Sequence, residues 1–209
     1  MTEPAWLAWA REMQAIAQSG LTFARDPYDR ERYAQLRTLA ARAMAEGAGV
    51  EPAQVAALLA AQEGYATPKI DVRGAVFNDA GEILMVREVL DEGRWTLPGG
   101  WADVNLTPAE NVVKEVREES GFEVRVRKLA ALLDRTRQGH GPSLFSTYKF
   151  FFVCAITGGA AAPSLETSEV AFFAEHALPA DLSTSRVLPP QIRRMFAHWR
   201  EPALATEFE

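Results

Sequence analysis

The sequence has a single cysteine, Cys154, among 209 residues. No disulfide can therefore form within the chain, and packing has to hold the fold, as in a protein of a reducing compartment. Cys154 lies inside the apolar run Phe150 to Ile156 and reads as buried core. There is no block of Lys and Arg at either end and the net charge is −6, which excludes the electrostatic footprint of a nucleic-acid or anionic-membrane binder. No uninterrupted apolar stretch approaches the roughly 18–20 residues that cross a bilayer. The opening MTEPAWLAWAREMQ lacks a basic segment followed by an apolar one, so it does not read as a secretion signal; the expected location is the cytoplasm. What is present, 48% hydrophobic and 24% charged residues, is the composition of a soluble globular protein able to bury a core.

The pattern changes near residue 66. Before it, Ala, Leu, Glu, Arg and Gln dominate and strand-type alternation is missing, which predicts helices. Three are expected. One runs from near Pro4 to Gln18, ends at Ser19-Gly20 and carries Trp6, Trp9, Met13 and Ile16 on one face. A second follows Asp26-Pro27, an N-cap and a first-turn proline, and fades at Gly47. The third runs from Pro52 to about Gln62. Ala66-Thr67-Pro68 then reads as a linker. From Lys69 onward the sequence predicts a hairpin (Ile70 to Phe77, a turn at 78–81, Ile83 to Val89), a helix over 108–120, strands over 123–134 and 147–156, and a last helix from about Pro190 to Trp199. Strands and helices interleave without regular βαβ spacing, so the expected class is α/β (α+β), a mixed sheet with helices packed on it. The domains are drawn at 1–66 (helical) and 67–209.

The chemistry is concentrated in LPGGWADVNLTPAENVVKEVREESGF, Leu97 to Phe122. Thr107, Pro108 and Glu110 make a helix start with a capping box, and Gly121 supplies the stop. At about 100° per residue, Glu115, Glu118 and Glu119 share one helical edge, next to an apolar stripe of Val112, Val113 and Val116. Like charges so placed repel and call for a counter-charge or shifted pKa values. A divalent ion answers that need: Mg²⁺ takes hard oxygen ligands, keeps several waters and completes its shell with phosphate oxygens. Alone, EVREES would read as a solvated acidic helix. The glycine turn Leu97-Pro98-Gly99-Gly100 just upstream lets backbone approach a metal or phosphate closely, and changes that reading.

The segment resembles the box of the Nudix family, G-x5-E-x7-R-E-U-x-E-E-x-G-U, aligned from Gly100 and ending in Lys114, Glu115, Val116, Arg117, Glu118, Glu119, Ser120, Gly121 and Phe122. The resemblance implies a Nudix-type α/β/α sandwich over roughly residues 69–180. It implies further that Glu115 and Glu119 hold metal with the carbonyl of Gly99, and that Glu118 is a further ligand or the group that orients water. A later loop often supplies the base in such enzymes, for which Glu166 and Glu169 are candidates. Catalytic roles are thus expected at Glu118 and Glu119, and Mg²⁺, or Mn²⁺ in its place, as cofactor. Two positions depart from the box: its first Glu is Leu106 here and its Arg is Lys114. In the family that pair braces the loop against the helix, so a different brace is expected.

The helical unit and the wording of the box also resemble a subfamily acting on X-linked nucleoside diphosphates. The implied activity is metal-dependent cleavage of ADP-ribose, CDP-choline or a nucleotide sugar to a nucleoside monophosphate and a phosphorylated group, by a homodimer, with neither nucleic acid nor membrane as partner. Arg87, Arg135, Arg137 and His140 are weaker candidates for phosphate contact and read first as surface residues; Trp101 and Tyr148 are candidates for base stacking and read first as packing. His176 and His198 read as structural. Three other readings compete. A non-catalytic Nudix-fold binding or sensor module finds its support in Leu106. The isomerases that share the fold would need a catalytic cysteine, which Cys154 suits poorly. A DNA-binding helical unit fits badly with six Arg or Lys against eight Asp or Glu in residues 1–66.

Overall fold

The computed structural model describes residues 3–209, which fall into two compact units. One holds the chain up to Lys69 together with Gly141–Ser146; the other holds Ile70–His140 and Thr147–Glu209.

The first unit consists of α1 (Ala5–Phe23), α2 (Pro27–Ala48) and α3 (Pro52–Ala60). Asp26 caps α2 as expected, its carboxylate accepting from the N–H groups of Tyr28 at 2.9 Å and Asp29 at 3.1 Å. The two predicted helix-ending glycines do not end helices. Gly20 lies within α1, where an added Cβ would stand 2.4 Å from the Tyr33 ring, and Gly47 lies within α2 against Trp6, at 2.3 Å. Both are needed for close side-chain packing, and tertiary contact overrides their low helix propensity. The buried stripe of α1 also differs from the predicted one. Leu7, Ala10, Gln14 and Ala17 face the core with Met44, Ala45, Val55 and Leu59, whereas Trp9 and Ile16 are exposed. Gly141–Ser146 joins this unit through local bonds: Arg11 Nη1 donates to Ser143 O at 2.9 Å, Lys69 N donates to Ser146 O at 3.0 Å, and the Lys69 ammonium stands 4.8 Å from the Phe145 ring centre.

In the second unit a seven-stranded mixed sheet has the order β3-β2-β1-β5-β4-β7, with β6 paired to β2. The strands are β1 (Lys69–Phe77), β2 (Ile83–Glu88), β3 (Arg94–Thr96), β4 (Phe122–Asp134), β5 (Thr147–Gly159), β6 (Thr167–Phe173) and β7 (Glu207–Phe208). Alternation divides their side chains between two cores. Ala75, Phe77, Ile83, Met85, Phe151 and Val153 meet Ile192, Met195 and Phe196 of α5 (Pro189–Arg200). Val72, Val76, Leu84, Phe152 and Cys154 meet Val112 and Val116 of α4 (Pro108–Ser120). A helix therefore covers each face of the sheet, the expected α/β/α sandwich. Cys154 is buried, and burial pushes its thiol up to about 12. Strands β3, β6 and β7 were not anticipated; the first and last are only three and two residues long, too short to show alternation. Among the described residues no helix is long and apolar enough to cross a membrane.

Candidate active site

Helix α4 starts and stops as its sequence dictates. The Thr107 hydroxyl accepts from Glu110 N at 3.2 Å while Glu110 Oε2 accepts from Thr107 N at 2.8 Å, and Gly121 ends the helix at φ 77°. Val112 and Val116 anchor it on the sheet, close enough that a Cβ on Gly74 would stand 2.6 Å from a Val116 methyl. Its C-terminal end is pinned from β6, where the Thr167 hydroxyl donates to Glu119 O at 2.6 Å.

The glycine turn is held as an extra partner along β1. Gly74 N donates to Pro98 O at 2.8 Å, Val72 N to Gly100 O at 2.9 Å, and Ala102 N to Ile70 O at 2.9 Å. In such a ladder the intervening residue directs its own polar groups away from the partner strand. Gly99 accordingly donates its N–H to Glu119 Oε2 at 2.9 Å. Only glycine suits this position: φ is 143°, and a Cβ would stand 2.0 Å from Val72 O. At Gly100 a Cβ would stand 2.9 Å from Glu115 Oε2.

The turn and α4 thus bring Glu115 and Glu119 together, with Glu88 from the end of β2 adding a third carboxylate. Glu119 is 4% exposed and Glu88 6%. Burial pushes the Glu119 carboxyl up to about 8, against the opposing pull of the Arg73 guanidinium and the Gly99 N–H, while Glu115 and Glu88 add to the rise. Burial likewise raises the Glu115 carboxyl; Lys114 opposes this, and Glu118 and Glu166 add to it. Glu88 is raised by burial, with its ion-pair partner Arg186 and then Arg73 pulling the other way. The pocket therefore holds hard oxygen donors whose charge the protein leaves poorly compensated, which fits a divalent cation. Among the described residues no three His, Cys, Asp or Glu side chains converge closely enough to enclose an ion. A pair of carboxylates that leaves the rest of the shell to water and phosphate oxygens suits Mg²⁺.

The other predicted residues divide clearly. Glu118 does not join Glu115 and Glu119: its side chain is exposed, receives Lys114 Nζ at 2.8 Å and borders a groove of about 820 Å³ along the outer side of α4 with Leu106, Val113 and Val124. Glu166 bears on Glu115 by its charge, whereas Glu169 pairs across the sheet with Arg87 at 3.4 Å. His140 is a correction to its reading as a surface residue or phosphate contact. It is buried, its Nδ1 lies 2.9 Å from Thr184 O and its Nε2 3.0 Å from Gln191 Nε2, and burial drives its pKa down to about 4, so it is neutral and committed to the core. His198 is buried against Glu207 at 3.0 Å, and Trp101 and Tyr148 are exposed.

The brace that replaces the missing pair is Asn111, which is fully buried. Its Oδ1 accepts from Asp103 N at 2.7 Å, and its Nδ2 donates to Asp103 O and Thr107 O, each at 3.2 Å, while Lys114 reaches the Asp103 carboxylate at 3.2 Å. Sequence reading missed Asn111. It also missed the charged group beside the pocket. Arg73 forks onto Asp71, Nε to Oδ1 at 3.0 Å and Nη2 to Oδ2 at 2.8 Å, and donates from Nη1 to Leu97 O at 3.1 Å, while Lys149 Nζ reaches Asp71 Oδ1 at 2.7 Å. The available signal was charge at alternate positions of otherwise apolar strands, as in KIDVRGAVF.

Comparison with known proteins adds to this geometry. Residues 4–59 match a family model described as "UDP-X-like, N-terminal oligomerisation domain", and residues 67–192 match the NUDIX domain. A Bacillus subtilis (strain 168) protein, YjhB, whose name gives ADP-ribose pyrophosphatase as a provisional assignment, is 44% identical over 98% of this chain and 97% of its own length. A crystal structure of a UDP-X diphosphatase is similar over the whole of both chains at 33% identity and a TM-score of 0.61. That of an ADP-ribose pyrophosphatase from Streptococcus suis 89-1591 is similar over 68% of this chain and all of its own, at 35% identity and a TM-score of 0.62.

Proposed function

The chain belongs to the Nudix hydrolase family, and from that premise we propose that it is a divalent-metal-dependent diphosphatase acting on a nucleoside diphosphate joined to a second group. ADP-ribose and UDP-linked compounds are the first substrates to test, since those are the names its relatives carry; CDP-choline and nucleotide sugars follow. The observation that carries the reading is the half-buried Glu115 and the buried Glu119, both carboxyls raised by burial, against the Gly99 turn.

In this reading Glu115, Glu119 and the Gly99 carbonyl hold Mg²⁺ or Mn²⁺. When bound, the ion neutralises the diphosphate oxygens and acidifies a water for attack. The protein does the positioning: α4 fixes both carboxylates, the β1 ladder fixes the turn, and the low-dielectric pocket strengthens every charge in it. Glu166, whose charge bears on Glu115, is the carboxylate outside that pair that would accept a proton from water, since Glu118 is turned to the outer groove. The products are a nucleoside monophosphate and the phosphorylated second group. The binding-module alternative drew its support from Leu106, and the Asn111 and Lys114 contacts weaken that support because they brace the same loop.

The test is phosphate release with Mg²⁺ and a coupled phosphatase across ADP-ribose, UDP-sugars, CDP-choline, dinucleoside polyphosphates and NTPs, for wild type and Glu119→Gln. Metal-dependent turnover of one class, reduced roughly 10²-fold or more in the variant, supports the proposal. Tight ligand binding with no turnover of any diphosphate sinks it.

The same reading includes a homodimer. Trp9, Ile16 and Phe23 lie at i, i+7 and i+14 on α1, 64%, 50% and 67% exposed. An apolar seam at heptad spacing on a 19-residue helix suits a second helix better than water, in keeping with the oligomerisation model matched there. Light scattering should show a dimer that becomes monomeric in Trp9→Glu/Ile16→Glu; an unchanged mass would place the interface elsewhere.

A further inference from the structure

We propose that Arg73 is a positioning residue for the active site: by tying the Leu97 carbonyl to the Asp71 carboxylate it fixes the turn that presents Gly99 to Glu119, and its charge is the permanent counter-ion of the carboxylate pocket. The inference rests on the metal-dependent reading above.

Three donor nitrogens of one guanidinium work in two directions. Nε and Nη2 grip both oxygens of Asp71, and Nη1 holds Leu97 O at 3.1 Å, two residues before Gly99. The side chain is 1% exposed, so water cannot substitute for any of these bonds. Backbone bonds from Val72 and Gly74 already fix Gly100 and Pro98. Arg73 adds an anchor one residue earlier, at Leu97, on the side where the chain leaves β3. A lysine at this position keeps the charge but offers one nitrogen, which cannot serve Asp71 bidentately and reach Leu97 as well.

The charge count points the same way. Asp71 carries one negative charge and receives two cations, Arg73 and Lys149. Asp71 therefore does not use up the positive charge of Arg73, which reaches Glu119, Glu88 and Glu115 and opposes the effect of burial on each. A fixed cation behind three carboxylates lets the pocket fold without an ion and weakens its hold on one when it arrives.

Two variants separate geometry from charge. Arg73→Lys keeps a cation on Asp71 and loses the fork; Arg73→Gln leaves Asp71 paired with Lys149, keeps hydrogen-bonding groups and removes the surplus charge. Each is measured at 25 °C for kcat and KM, for Mn²⁺ affinity by the electron paramagnetic resonance signal of the unbound ion, and for melting temperature. Arg73→Lys is expected to lose at least roughly tenfold in kcat with KM within about twofold, and to bind Mn²⁺ no tighter than wild type. Arg73→Gln is expected to bind Mn²⁺ roughly tenfold tighter. Should Arg73→Gln not fold, Arg73→Lys decides alone. Variants that melt earlier yet match wild type in kcat and Mn²⁺ affinity overturn the proposal and leave Arg73 a core residue. A wild-type protein that binds no Mn²⁺ overturns the metal reading before any variant is compared, and takes the counter-ion role with it.

Discussion

The sheet-and-helix unit buries two groups of charge, and they are built in opposite ways. Around Asp71 every charge has a close partner: one carboxylate takes the Arg73 fork and the Lys149 ammonium, and these cations hold its carboxyl below the usual range although burial acts the other way. Around Glu119 three carboxylates are raised by burial and by one another; Arg186 balances Glu88 and Lys114 balances Glu115, but for Glu119 the balancing charge is borrowed from the first group through Arg73. A satisfied ionic cluster is tolerable in a core because each member has its hydrogen bonds. An under-satisfied one costs stability, and its position against a backbone turn open only to glycine marks where an outside cation belongs. The two groups share the Arg73 guanidinium, so the difference lies chiefly in partners.

Asp71 is the centre of the satisfied group, and its removal has the largest expected effect. Asp71→Ala leaves two buried cations facing each other without a carboxylate, and should cost about 3–5 kcal/mol, enough to deplete folded protein. Urea denaturation with a circular-dichroism readout measures it. A loss under about 1 kcal/mol would mean that water or a neighbouring group compensates the cations and that the cluster is not structural.

The under-satisfied group should respond in the opposite sense. Glu119→Gln keeps an acceptor for Gly99 N–H and removes the repulsion from Glu115 and Glu88. Because the folded carboxyl is raised from 4.5 to about 8, the folded chain binds more protons than the unfolded chain across that window, and stability falls as pH rises through it. At pH 8 with a chelator present, the variant should therefore be more stable than wild type by about 1–2 kcal/mol, even as it loses catalysis. A lower melting temperature for the variant in EDTA would show that Glu119 is part of the scaffold, and the contrast between the two groups would fail.

The two groups were also unequally legible. Helix α4 emerged with its bounds, its cap and its acidic edge, because capping chemistry and 3.6-residue periodicity are local properties. Gly99 was legible as a turn that backbone can approach closely. That Glu115 and Glu119 part from Glu118 was not, since it depends on which side of α4 meets the turn and which meets the outer groove. Asp71 and Arg73 lie two residues apart on β1, but Lys149 is distant in sequence, and the three gain meaning together only when β1 and β5 are neighbours in the sheet. Asn111 was hidden for a related reason: its side chain serves loop carbonyls that no helical pattern encodes. The misread glycines, Gly20 and Gly47, fit the same rule, because Tyr33 and Trp6 rather than local conformation require them.

The smallest effect tests whether the satisfied group really carries surplus charge. Asp71 needs one cation, and Lys149 is the second; burial drives its ammonium down to about 8 from 10.5. Between those values the unfolded chain holds a proton that the folded chain has released, so folding becomes more favourable as pH rises through the window. Lys149→Met removes the group and with it this dependence. The stability of wild type minus that of the variant should therefore climb by about 1 kcal/mol between pH 8 and pH 10. Denaturation midpoints for the two proteins in matched buffers give the difference directly and cancel the titration of surface groups common to both. A difference that stays flat with pH would mean that Asp71 keeps Lys149 charged throughout, with little of its own charge left for Arg73. Arg73 would then be freer still to act on Glu119, and the two groups would be more tightly joined than the contrast between them allows.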